Sequence, residues 1–306
     1  MKSNASISRR DFLAVSAAVP AALLAEAAAP NAFAAASPDA ATTPVKYPIG
    51  LELYSVRNEL ARDLPNCLKT VAKIGYDLVE FYAPYYDWSI PKAKDVRSLM
   101  DDIGLRCYST HNHIAAFTPG DGMAKAIELN QILGCKILVL ATAPNSAKGL
   151  DGWKKLCEQL TSASDQLKPH GLAAGFHNHQ TEWGPLDGNL RTMDVLAANT
   201  PKEFVLQLDV GTCVAAGADP VTWINANPGR IRTLHLKDWA PGEATNEKSY
   251  RVLYGEGVCP WKEIIAAAQT TGGVEYYLME QEGSRFSEFE TASRCLDAWK
   301  AMKTAS

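Results

Sequence analysis

The amino-acid sequence predicts an α/β fold, a (β/α)8 TIM barrel. Three observations point there. Eight short apolar runs alternate with helix-patterned segments, the intervening helices repeatedly stop at a glycine, and no Gly-rich dinucleotide turn follows the first run. Strands that alternate with helices in one domain build a parallel sheet, and eight of them close it into a barrel. An open doubly wound sheet is the competing arrangement, but its G-x-G-x-x-G turn is missing.

The eight runs are Ile49–Tyr54, Leu78–Tyr82, Leu105–Ser109, Lys136–Ala141, Leu172–His177, Phe204–Asp209, Ile231–Leu236 and Tyr276–Glu280. Each is short and carries β-branched, aromatic or leucine side chains, as a strand does. After the first, Leu64, Leu68, Val71 and Ala72 fall on one helical face. The second helix has Pro91 near its start, where a missing N–H costs nothing. Ile74-Gly75-Tyr76, Ile103-Gly104-Leu105 and Leu133-Gly134-Cys135 place glycine where a left-handed residue ends a helix, and Gly171 does so before the fifth run.

The amino-terminal segment stands apart from this pattern. Ser8-Arg9-Arg10-Asp11-Phe12-Leu13 precedes a weakly apolar run from Phe12 to Ala25, and Ala32-Phe33-Ala34 and Ala34-Ala35-Ala36 offer A-x-A cleavage sites. The segment resembles a twin-arginine export signal. The expectation is a signal peptide over residues 1–36, a linker over 37–46 and a barrel over 47–306, in a periplasmic or otherwise exported protein. The apolar run is too short to span a bilayer, so no stable membrane insertion is expected after its removal. A mature chain of roughly 270 residues matches a barrel of about 250.

Composition narrows the function. The 306 residues carry 30 Lys and Arg against 34 Asp and Glu, a net charge of −4. That balance opposes nucleic-acid binding, which needs clustered cations to neutralise phosphates. Seven cysteines are scattered without a C-x-x-C pair, so they read as small buried hydrophobes.

Polar residues gather at the C-terminal ends of the predicted strands, where a barrel of this kind carries its catalytic groups. His111 and His113 follow the third run, His177 and His179 lie at the end of the fifth, and Gln207-Leu208-Asp209 ends the sixth. His235 and Lys237 lie at the end of the seventh, and Glu280 and Glu282 at the end of the eighth. Glu52 and Tyr54 sit on the first, Glu80 on the second. Strand alternation puts residues two apart on one face. Carboxylates and imidazoles converging in a dry mouth would strand buried charge. A divalent cation at their centre removes that cost. The mixed nitrogen and oxygen set suits one Mn²⁺, Zn²⁺, Co²⁺ or Mg²⁺ ion and leans away from Ca²⁺.

A family resemblance runs through the same residues. Gly50-Leu51-Glu52-Leu53-Tyr54-Ser55-Val56-Arg57, Gly175-Phe176-His177-Asn178-His179 with Glu182-Trp183, and Leu208-Asp209-Val210-Gly211 carry it. Gly217-Ala218-Asp219-Pro220, His235-Leu236-Lys237-Asp238, Gly255-Glu256-Gly257 and Met279-Glu280-Gln281-Glu282 extend it. The chain resembles the sugar phosphate isomerase/epimerase family, with its xylose-isomerase-like barrel, over about residues 48–303. The resemblance implies one divalent metal held from strands five to eight by His177, Asp209, His235 and Glu280. His177 stands where many relatives have Glu, and Glu182, five residues on, is the alternative fourth ligand.

The chemistry expected of such a site is isomerisation or epimerisation of a sugar through a metal-bound enediolate. The metal acidifies the C–H beside a carbonyl, and Glu182, His179 or Glu280 removes the proton. Lys237 stabilises the oxyanion or protonates a leaving oxygen. Glu52, His111, His113, Trp183 and Glu282 are the expected substrate contacts, and Tyr85, Tyr86, Trp88 and Trp239 either stack on a sugar or pack loops. Loss of a β-hydroxyl or glycosidic oxygen would instead give a lyase or dehydratase, and a hydrolase of 3-keto-glycosides or a non-catalytic sugar-binding barrel are further alternatives. Export, with no phosphate cradle or dense Arg cluster in the sequence, points to a non-phosphorylated carbohydrate. A homodimer is compatible with this barrel. The endonuclease branch of the barrel group is opposed by the acidic charge and the export signal.

Overall fold

The computed structural model describes residues 47–242 and 249–304. The expected signal peptide and linker lie outside those residues. Eight parallel strands close a barrel: β1 (Ile49–Glu52), β2 (Leu78–Phe81), β3 (Arg106–Asn112), β4 (Ile137–Leu140), β5 (Ala173–His177), β8 (Val205–Asp209), β9 (Thr233–Leu236) and β10 (Tyr276–Met279). Their order around the ring is β1-β10-β9-β8-β5-β4-β3-β2. A small antiparallel hairpin, β6 (Pro185–Asp187) with β7 (Leu190–Arg191), lies in the loop after β5. Among the described residues no helix is long and apolar enough to cross a membrane.

All eight predicted strands form, with ends shifted by up to three residues, and the shifts at the ends of β1 and β3 have local reasons. β1 stops at Glu52 rather than Tyr54, because Glu52 Oε2 accepts the Tyr54 N–H at 2.6 Å and turns the chain into a 3-10 helix, Leu53–Val56. β3 runs on to Asn112, so His111 stays in the ladder opposite Val139 of β4. Helices end as their sequence dictates. Gly75 closes Leu64–Ile74 at φ 108°, a conformation that favours glycine. Asp63 caps the same helix by accepting from Asn66 N. Its buried face is Cys67, Leu68 and Val71.

The period of two along the strands divides the barrel interior into an apolar floor and a polar mouth. Leu78, Ile137, Val139, Val205, Tyr276 and Leu278 pack together inside, apart from the larger core that joins strands to helices. Two residues further along the same strands come Glu80, Gln207 and Glu280, and Asp209 follows Gln207 by two more. Gly50 lets β1 close against its neighbours: a Cβ there would lie 2.1 Å from Leu78 Cδ1. All seven cysteines are buried and unpaired, which agrees with their reading as small hydrophobes.

Candidate metal centre

His177 and Asp209 end β5 and β8, His235 lies on β9, and Glu280 follows β10. One donor atom from each lies within 4.8 Å of the others. All four side chains are buried. Asp209 is also the N-cap of the helix Val210–Ala215: its Oδ1 accepts the Thr212 N–H at 2.8 Å. That cap aims Oδ2 into the cluster, and Oδ2 is buried without a hydrogen-bond partner. Gly211 is needed for the approach, since a Cβ there would meet the Lys237 carbonyl oxygen at 2.7 Å. His177 Nε2 lies 3.9 Å from Asp209 Oδ2, and His235 Nδ1 lies 2.5 Å from Glu280 Oε2. Lys237 Nζ sits 3.4 Å from Glu280 Oε1 and 3.6 Å from Asp209 Oδ2, and also pairs with Glu282.

Burial and neighbouring charge compete at each of these groups. Burial alone would raise the Glu280 carboxyl, but the Lys237 ammonium and then His235 hold it well below the usual carboxylate range. Asp209 is raised by burial, against the pull of Lys237. Burial, with His235 and His111 beside it, pushes His177 well below its ordinary value, so its imidazole is neutral. A neutral imidazole is what a metal ligand must be. Burial opposes the charge on Lys237, yet Glu280 and Asp209 outweigh it and raise the ammonium well above normal. Glu52, buried with Glu280 and Glu80 nearby, is pushed up to about 8.

Two imidazole nitrogens and two carboxylates, one of them with an orphaned oxygen, fit a divalent ion of the Zn²⁺ or Mn²⁺ type. Comparison with known proteins agrees with this architecture. Residues 68–300 match the xylose isomerase-like TIM barrel family. The chain belongs to that family. A sugar phosphate isomerase/epimerase from Parabacteroides distasonis superposes with a TM-score of 0.69 at 25% identity, covering 86% of this chain and 97% of that one. An IolI protein solved with a zinc atom superposes at 0.62 with 16% identity, covering 82% and 96%. An inosose dehydratase of Lacticaseibacillus casei is 26% identical over 198 residues, 54% of this chain and 65% of that protein.

Within this xylose isomerase-like barrel, His179, Lys237 and Glu282 line a cavity of about 440 Å³ above the four donors. Arg57, at the start of the helix Arg57–Arg62, and Arg251, in a loop, reach the same cavity, a convergence invisible in the sequence. Arg57 already donates to the carbonyl oxygens of Tyr54 and Glu282. Glu52 lies beside the centre, with Oε1 buried and unpartnered.

Three expected site residues are placed elsewhere. Glu182 does not join the donors: its Oε2 accepts the His179 N–H at 2.8 Å, holding the 3-10 turn Gln180–Trp183. Trp183, expected to contact substrate, is packed inside the loops, 4% exposed and edge-on to Trp223 with ring centroids 5.1 Å apart. His113 is exposed, because the chain leaves β3 at Asn112 and alternation ends there. His111 instead points inward and bonds Gln207 and Glu80. Glu80, Ser109 and Gln207 are interior polar residues to which the sequence reading gave no role. One signal marks them: Ser109 and Gln207 each precede a site residue by two, and Glu80 pairs in register with Glu52.

Proposed function

We propose that the protein is a metal-dependent enzyme that eliminates a β-oxygen from a non-phosphorylated, carbonyl-bearing sugar or cyclic polyol. The observation that carries this choice is the composition of the cavity wall. An imidazole, His179, and a buried ammonium, Lys237, face the same space, and the position on β5 that would hold a second carboxylate carries His177. Proton transfer between two opposed carboxylates, as an epimerase of the Glu type uses, is therefore poorly served. An acid and a base of different kinds suit elimination.

A divalent ion held by His177, Asp209, His235 and Glu280 would polarise the substrate carbonyl and acidify the neighbouring C–H. His179 takes the α-proton. The C–H electron pair becomes a C=C bond, the β C–O bond breaks, and Lys237 delivers a proton to the departing oxygen. The products are an enone and water, or an enone and an alcohol if the leaving oxygen is glycosidic. Glu280 is a ligand rather than the base, because Lys237 and His235 hold it ionised and weakly basic. The similarity to an inosose dehydratase supports elimination from a keto-polyol.

Isomerisation or epimerisation is the second reading, and Glu52 favours it. A carboxyl with a pKa near 8 is protonated at neutral pH and stands ready to return a proton. Export through the expected signal would place the protein where sugar phosphates are scarce, which supports an uncharged substrate.

The test is product analysis in D₂O by NMR, with metal-loaded protein and a panel of keto-sugars, keto-glycosides and sugar phosphates. Elimination yields an enone and a released alcohol or water. Epimerisation yields deuterium at an inverted carbon. Turnover of sugar phosphates alone would overturn the substrate class. Asp209→Asn should lose both bound metal and turnover, and unchanged metal content would overturn the site.

A further inference from the structure

Beneath the four donors lies a buried polar layer that the proposed chemistry leaves unused: Glu80, Ser109, His111 and Gln207. Glu80 Oε1 accepts from the Ser109 hydroxyl and from Gln207 Nε2 at 2.9 Å. Glu80 Oε2 lies 2.7 Å from His235 Nε2 and 3.1 Å from His111 Nε2. Gln207 Oε1 lies 2.8 Å from His111 Nε2 and 3.0 Å from His177 Nδ1.

The direction of these bonds follows from one group. An ionised carboxylate only accepts, so the Gln207 amide nitrogen must face Glu80. The amide oxygen then faces the imidazoles, and it too only accepts. His177 must therefore carry its hydrogen on Nδ1, which leaves Nε2 as the lone pair. Nε2 is the nitrogen that faces Asp209. On the other side, both nitrogens of His235 face carboxylates, Nε2 that of Glu80 and Nδ1 that of Glu280, and a metal entering among the four donors would displace the Nδ1 hydrogen while Glu80 keeps the one on Nε2. A hydrogen bond at one ring nitrogen decides which nitrogen is left for a metal.

We propose that Glu80, acting directly on His235 and through Gln207 on His177, is a positioning residue that sets the tautomers of both imidazole donors. The inference rests on the metal centre described above. The layer has one competing explanation, a second metal site, since nitrogens of His111, His177 and His235 also lie within 4.8 Å of one another. The nitrogens that face this layer, His111 Nε2, His177 Nδ1 and His235 Nε2, already have acceptors in Glu80 and Gln207, and a nitrogen that donates a hydrogen bond is not a ligand.

The test combines long-range ¹H–¹⁵N correlation spectra of histidine-labelled protein with zinc titration. His177 is expected to be protonated at Nδ1 with and without zinc, and His235 at Nε2 in the zinc-loaded protein, with one zinc per chain. Glu80→Gln should weaken zinc binding roughly 10–100-fold and mix the His177 tautomers. Gln207→Met, which removes an acceptor from His177 and His111 but none from His235, should disturb His177 and spare His235. If Glu80→Gln fails to fold, the wild-type spectra and Gln207→Met still decide. His177 protonated at Nε2, two zincs per chain, or zinc binding by a folded Glu80→Gln as tight as wild type would each overturn the proposal. A chain that shows the expected His177 tautomer but takes up no zinc would refute the metal centre and leave the tautomer assignment standing.

Discussion

Replacing Lys237 by Met tests the charge balance of the mouth. The ammonium is 2% exposed and lies within 4 Å of Asp209, Glu280 and Glu282. Glu282 is 45% exposed, so water compensates it when the lysine is lost. Asp209 and Glu280 are buried and have no such recourse. Removing one partner of a buried ion pair costs about 3–5 kcal/mol. In a barrel of this size that lowers the melting temperature by roughly 6–20 °C. A bound divalent ion supplies the missing positive charge at the same carboxylates. Thermal melts of wild type and Lys237→Met, each with EDTA and with saturating zinc, should therefore show a large loss in EDTA and a small one with zinc. The stabilisation by zinc should be larger in the variant than in wild type. The Asp209→Asn, Lys237→Met double variant should lose less in EDTA than the two single losses added, because each removes the other's partner. Turnover should stay low in Lys237→Met even where zinc restores stability, since the variant lacks the ammonium to which the proposed reaction assigns the leaving-group proton. An equal loss in EDTA and in zinc would refute the reasoning, because it would mean that Lys237 acts through packing alone.

Further outcomes follow from the same contacts. Glu52 has a folded-state pKa raised to about 8, so its contribution to stability is full below about 4.5 and is lost as pH rises towards 8. Glu52→Gln should remove that loss, and denaturant melts of metal-free protein should show the variant gaining on wild type between pH 5 and 8.5. Glu182→Ala should cost about 1 kcal/mol by uncapping the turn, and Glu182→Gln should be milder. Neither should change zinc stoichiometry, and a loss of bound zinc in both would return Glu182 to the ligand set. Trp183→Ala should destabilise by about 3–5 kcal/mol and leave KM unchanged in steady-state kinetics. A raised KM at full stability would mean that the indole touches substrate.

The barrel and the polar character of its mouth are legible in the order of the residues alone. Both depend on local rules: a period of two along each strand, a glycine at the helix end, and polar residues at the C-terminal strand ends. Those rules gathered His177, Asp209, His235 and Glu280 with the other polar residues at the strand ends, and the family resemblance marked these four out as the ligand set. The rules failed where the strand stopped. Past β3 and β5 the backbone turns into 3-10 helices, so His113 swings out to solvent and Glu182 caps a turn. The polar layer under the centre was decided only by the closed barrel. Glu80 meets Gln207 across 127 residues of chain and His235 across 155. No spacing along the chain encodes such pairings. Closure brings β2 face to face with β8 and β9 across the barrel interior, and a buried carboxylate must find its donors there.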